Sequence, residues 1–147
     1  MKKLLSVSLA LGLLFLSACS NDNNDNNNNN NNPTPTTVSN TLSSGTWRIT
    51  YYWDTDHEET SNYSGYAFTF GSGNVLTAVN GSSTVTGTWV TGLDDSQVKL
   101  ILAFSTPAAF AELSDDWHVT ERTDTRIKLE DVSGGGSGTD YLTFEKN

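Results

Sequence analysis

At 147 residues and 35% hydrophobic content, the chain has room for one domain plus appendages. Its formal net charge of −9 disfavours nucleic acid and anionic head groups as partners. A single cysteine excludes an internal disulfide and leaves no thiolate set for a metal.

Lys2 and Lys3 precede an apolar run over 4–16, followed by small residues. This is the order of a secretory leader, and the run is shorter than the ~20 residues of a membrane span. Leu16-Ser17-Ala18-Cys19 resembles the lipobox of bacterial lipoproteins. The resemblance implies cleavage before Cys19, a diacylglycerol on its sulfur and an acyl chain such as palmitate on its amine. Two or three buried acyl chains anchor firmly where one does not. The expected divisions are a signal peptide over 1–18, a lipidated Cys19 with a disordered tether over 19–41, and a folded domain over 42–147. Beyond Cys19 the chain carries six Lys and Arg against 17 Asp and Glu, a balance of −11.

The tether is Asn-rich and ends in Pro33-Thr34-Pro35-Thr36-Thr37, with nothing to bury. A flexible chain over 20–44 spans roughly 28 Å. Asp22 and Asp25 resemble the acidic surface-export signal of some Gram-negative lipoproteins. That implies an outer-membrane, surface-exposed protein, with the periplasmic face as the alternative.

From residue 45 onward the apolar period is two. The first strand, over 45–53, places Trp47, Ile49, Tyr51 and Trp53 on one face. A polar loop over 54–62 follows. A strand over 63–70 aligns Tyr66, Phe68 and Phe70. Gly71-Ser72-Gly73-Asn74 and Asn80-Gly81 are hairpin turns flanking a strand over 75–79. Further strands are read over 83–91 (Val85, Gly87 and Trp89 inward) and 97–104 (Val98, Leu100, Leu102 and Phe104 inward). Residues 105–113 break the rhythm: a proline, alanines, and Phe110 and Leu113 three apart predict one or two helical turns over an end of the sheet. Strands over 117–122, 125–131 and 139–145 complete the set, the last two joined by a glycine-rich loop over 134–138.

Eight alternating strands joined by short hairpins predict an all-β fold, an eight-stranded antiparallel up-and-down barrel with one short helix. Closure removes the two open edges and the bare face of a flat sheet. A β-sandwich is the alternative. Gly45-Thr46-Trp47, Phe68-Thr69-Phe70, Gly87-Thr88-Trp89, Trp117-His118-Val119 and Leu142-Thr143-Phe144 together resemble the short bacterial lipocalin-like lipoproteins. The resemblance implies that Gly45 and Trp47 form a signature at the closed end of the barrel, with Lys146 or Arg126 covering the indole. It also implies that the loop over 54–59 overhangs the open mouth.

Asp54, Asp56, His57, Glu58 and Glu59 cluster in that loop, but their spacing matches no EF-hand and no His-Glu-X-X-His, so no metal is expected. His118 should point outward beside Thr120 and Arg122. No Gly-X-Ser-X-Gly elbow occurs, and the glycine run has no helix after it to cradle phosphate. The chain is therefore expected to be neither an enzyme nor a cofactor carrier. Ten rings are placed inward by alternation. The expected function is a membrane-anchored lipoprotein whose barrel binds a small apolar or amphipathic ligand at Tyr51, Trp53 and Tyr66 near the mouth. The alternative is a filled barrel that presents its loops to a protein or glycan. A monomer is expected, with no nucleic acid.

Overall fold

Residues 32–132 and 138–147 are described by the computed structural model. The leader, Cys19, the Asn run up to residue 31 and most of the glycine loop (133–137) lie outside them. Alternating sequence produces strands β1 (Trp47–Asp54), β2 (His57–Glu58), β3 (Ala67–Phe70), β4 (Val75–Asn80), β5 (Ser83–Asp94), β6 (Gln97–Ala103), β7 (Asp116–Arg122), β8 (Arg126–Val132) and β9 (Thr139–Lys146). Helix α1 (Pro35–Leu42) precedes them, and the short α2 (Ala108–Ala111) lies between β6 and β7.

Each strand from β3 to β9 pairs antiparallel with the next, and β9 returns to β1 along its length, from Trp47↔Lys146 to Trp53↔Tyr141. β1 meets β3 at Trp47↔Phe68. The sheet therefore closes as an eight-stranded antiparallel barrel, and the sandwich alternative is excluded. β2 is a two-residue arm folded back on β1, pairing Trp53↔Glu58 and Asp54↔His57. The strand expected from residue 63 begins at Ala67, because Thr60–Tyr63 forms a 3-10 turn that buries Tyr63.

The disorder expected up to residue 41 gives way from Pro35 onward to helix α1. Thr34 caps α1 with its side chain and Thr37 returns the bond, a reciprocal box. Pro35 occupies the first turn, where its missing N–H costs nothing. Val38 and Leu42 lie four apart on one face and are fully buried. The Trp47 indole donates to the Leu42 carbonyl at 2.8 Å, and Lys146 Nζ stands 5.7 Å from the Trp47 ring centroid. The helix thus caps the closed end, and the sequence signal was two apolar residues too sparse to register against asparagine and threonine.

Two register shifts re-aim side chains. On β1 the pairing with β9 skips from Ile49↔Phe144 to Tyr51↔Thr143, so Thr50 is an extra residue. Beyond it parity reverses: Tyr52 is 2% exposed and Tyr51 is 38% exposed. On β7 the shift falls between Val119 and Glu121, so that Arg122 pairs with buried Ile127 and shares its inner face. Arg122 was expected outside.

Rings fill the interior in edge-to-face contacts, the geometry that aromatic quadrupoles prefer. Tyr52 meets Tyr63 at 5.5 Å and Trp117 at 6.3 Å, and Tyr63 meets Phe110 at 5.5 Å. Phe68 meets Phe144 at 5.4 Å, and Phe70 meets both Phe144 and Trp89. Gly87 is where the wall must thin: a β-carbon there would stand 2.5 Å from both the Ala103 carbonyl oxygen and the Phe104 ring.

Candidate functional site

The mouth of the barrel is closed by α2 and the 3-10 turn. Phe110 lies within 5.0 to 6.0 Å of the rings of Tyr63, Tyr66, Phe68 and Phe104, and Leu113 is fully buried beside it. The Tyr63 hydroxyl donates to the Ala109 carbonyl at 2.6 Å and Tyr52 to that of Glu112 at 3.0 Å. Trp117 Nε1 donates to the Leu113 carbonyl at 3.0 Å. Three polar ring atoms therefore bind the helix segment that plugs the mouth. Burial pushes both tyrosine hydroxyls far above their ordinary range, so they remain donors.

Of the three residues expected to line an internal pocket, Tyr66 is partly buried and engaged with Phe110. Tyr51 points outward, which corrects its inward placement. Trp53 is half-buried on the same outer face, and its indole donates to the Thr55 carbonyl at 3.3 Å. Tyr52, Tyr63 and Phe110 occupy the space assigned to Tyr51 and Trp53. Pattern reading missed Tyr52 because a one-residue bulge leaves no compositional mark, and Tyr63 because it is buried by a 3-10 turn rather than a strand.

Outside, the register lines up Tyr51, Thr143 and Lys128 in one row across β1, β9 and β8, and Trp53, Tyr141, Glu130 and His118 in another that runs on to β7. Tyr51, Tyr141, Lys128, Glu130, Thr120 and Thr143 line a groove of about 430 Å³ on this face. Tyr141 is 41% exposed. The groove offers two ring faces flanked by hydroxyls and one charge of each sign. Lys128 is shared with Glu121 at 3.2 Å, and Glu121 also binds Arg126 at 2.6 Å. The Arg126 guanidinium, then Lys128, holds the Glu121 carboxyl below its usual range.

The acidic loop folds into a compact arm. His57 lies 2.6 Å from Asp56 through Nδ1 and 2.6 Å from Glu59 through Nε2. Hydrogen bonds to Asp56 and then Glu59 raise the imidazole above its ordinary value. Glu112, on the plug, is also pushed up, first by loss of hydration around its carboxyl and then by a hydrogen bond shared with Glu59. His57 is thus held by its own loop's carboxylates.

At the same end Asp115, Asp116 and Asp131 bring one carboxylate oxygen each within 4.8 Å of one another. Desolvation raises the Asp115 carboxyl. The first two are neighbours in sequence, and the pairing of β7 with β8 brings in the third. Oxygen donors of this kind suit a hard divalent cation.

Gly45 enters β1 at φ 96°, a conformation that other residues rarely adopt, with the Lys146 side chain 3.0 Å from where a β-carbon would stand. Together with fully buried Trp47 it builds the closed end, and Lys146 rather than Arg126 covers the indole.

No family model matches the sequence, and no curated protein matches it. Among solved structures the chain is similar to a DUF4847 family protein from Bacteroides vulgatus ATCC 8482. The two are 18% identical, with 75% of this chain and 97% of that one covered, at a TM-score of 0.49. The functional reading therefore rests on this chain's own residues.

Proposed function

We propose that this is a cell-envelope lipoprotein of lipocalin-like build, anchored through Cys19, whose barrel is a filled scaffold and whose recognition surface lies outside. The observation that carries the reading is the interior. Rings from non-adjacent strands meet edge to face, and Phe110 plugs the mouth. A ligand pocket inside would need several hundred cubic ångströms. The groove at Tyr51 and Tyr141 has that scale and sits on the outer face. Exposed aromatic rings with polar rims are what binding surfaces concentrate. Its ligand is amphipathic, stacking an apolar face on the two tyrosines and hydrogen-bonding at its edge to Thr120, Thr143, Lys128 and Glu130.

The anchor is supported by the leader and the lipobox-like Leu16-Ser17-Ala18-Cys19, and Asp22 and Asp25 favour the outer membrane and cell surface. Replacing Cys19 with Ser should release the protein from membranes; continued membrane association would refute the anchor. For the groove, a thermal-shift screen of lipids, oligosaccharides and aromatic metabolites should yield binders whose effect vanishes in Tyr51→Ala/Tyr141→Ala. A binder that survives this double change places the site elsewhere.

A further inference from the structure

We infer a second binding site, for a phosphate-type oxyanion, in the cleft between α1 and the closed end of the barrel. The site is independent of the outer groove. A cleft of about 480 Å³ there is lined by Thr41 and Ser44 with Arg122, Asp124 and Lys146.

Six cations follow Cys19, and four of them have a carboxylate close by: Arg48 has Glu145, Lys99 has Asp116, and Arg126 and Lys128 share Glu121. The other two face this one cleft. Among the described residues, Lys146 has no carboxylate within 4.0 Å. The nearest to Arg122 is Asp124 at 3.7 Å, on a side chain 96% exposed, where water weakens the pair. In a chain so rich in acids, one cation without a close carboxylate and one held only by an exposed aspartate share this cleft, which leaves it receptive to an anion.

Arg122 is also built in. The shift on β7 turns it to the inner face, where its side chain is 19% exposed and Nη1 donates to Thr41 Oγ1 at 2.8 Å. Its Nε is a buried donor with no acceptor among the described residues. An unmet buried donor beside a charge costs free energy that an incoming acceptor relieves. Lys146 Nζ lies over the Trp47 ring, 5.7 Å from its centroid, and donates to one hydroxyl, Ser44 Oγ at 3.1 Å. A guanidinium fork beside an ammonium point charge, with hydroxyls completing the lining, is the donor set that tetrahedral oxyanions take. Phosphate reaches such a site either free or as a lipid head group, and α1 is where the chain arrives from Cys19.

The test uses the mature chain carrying Cys19→Ser, so that no acyl chain contributes. Inorganic phosphate is titrated at constant ionic strength with chemical shifts as readout, and phosphatidylglycerol vesicles are compared with phosphatidylcholine vesicles. The expected result is saturable binding of phosphate, of the anionic vesicles, or of both. Arg122→Gln should weaken it about tenfold or more. Asp124→Asn, at an exposed position that does not threaten folding, should tighten it about two- to fivefold. Binding to phosphate alone makes the source free phosphate, and binding to the vesicles alone makes it the head group. No saturable binding in either arm, or binding that both substitutions leave unchanged, overturns the site.

Discussion

Replacing Phe110 with Ala tests the filled barrel most directly. The ring is 2% exposed and lies within 5.0 to 6.0 Å of four other rings, those of Tyr63, Tyr66, Phe68 and Phe104. Truncating a buried phenylalanine costs about 3–5 kcal/mol, from lost transfer energy and the cavity left behind. Edge-to-face pairs add about 0.5–1.5 kcal/mol each beyond area, though such terms are not additive within one cluster. The wall strands are tied by their ladders and cannot collapse into the gap, so the upper part of the range is expected. For a domain of this size, 3 kcal/mol or more lowers the melting temperature by more than about 10 °C. Urea titration followed by tryptophan fluorescence measures the loss. The cavity is apolar and should bind benzene-sized solutes, raising the melting temperature of the variant and not of the parent. A loss below about 1 kcal/mol, or a parent protein that binds such solutes equally well, would refute the packed interior.

Tyr51→Ala should cost well under 1 kcal/mol and Tyr52→Ala several, as a surface and a core ring do; the reverse order in urea denaturation would remove the bulge at Thr50. Gly87→Ala should destabilise by about 1–3 kcal/mol, because the methyl group meets the Ala103 carbonyl and the Phe104 ring; a neutral effect in the same assay would contradict that close approach. Leu42→Ala should cost about 2–5 kcal/mol and expose the Trp47 indole, read as a red shift in its emission; unchanged emission would mean that α1 does not cap the barrel. His57 and Glu112 both have raised values in the folded state, so what they contribute is complete below their ordinary ranges and is lost as pH rises through the raised ones. The arm over 54–59 should therefore hold more tightly at pH 5 than at pH 8. Amide exchange corrected for intrinsic rates reads this, and equal protection at both pH values would refute it.

The pattern of the sequence carried the strand count, most strand ends and the hairpin turns, because a half-buried strand writes its burial directly as period two. Val98, Leu100, Leu102 and Phe104 are buried as that period requires, and so are Ile127 and Leu129, Leu142 and Phe144. The short helix after β6 was legible from a proline, alanines and the spacing of Phe110 and Leu113. The candidate site was not. Tyr51 and Tyr52 are adjacent rings of one kind, and which of them faces the core depends on whether Thr50 is paired with β9, a fact about the partner strand. Arg122 turned inward for the same reason on β7.

Burial of α1 was equally invisible, since Val38 and Leu42 gain their free energy from a barrel end that local composition does not contain. By itself the sequence determined an Asn-rich stretch and, after it, a meander of eight strands, and it carried the expectation of a leader ending at a lipobox-like cysteine. Tertiary structure alone decided which aromatic rings plug the barrel, which stand outside it, and that Arg122 and Lys146 line one cleft. The physical reason is that alternation specifies faces only up to a shift of one residue, and that shift is set by the ladder between strands far apart in the chain.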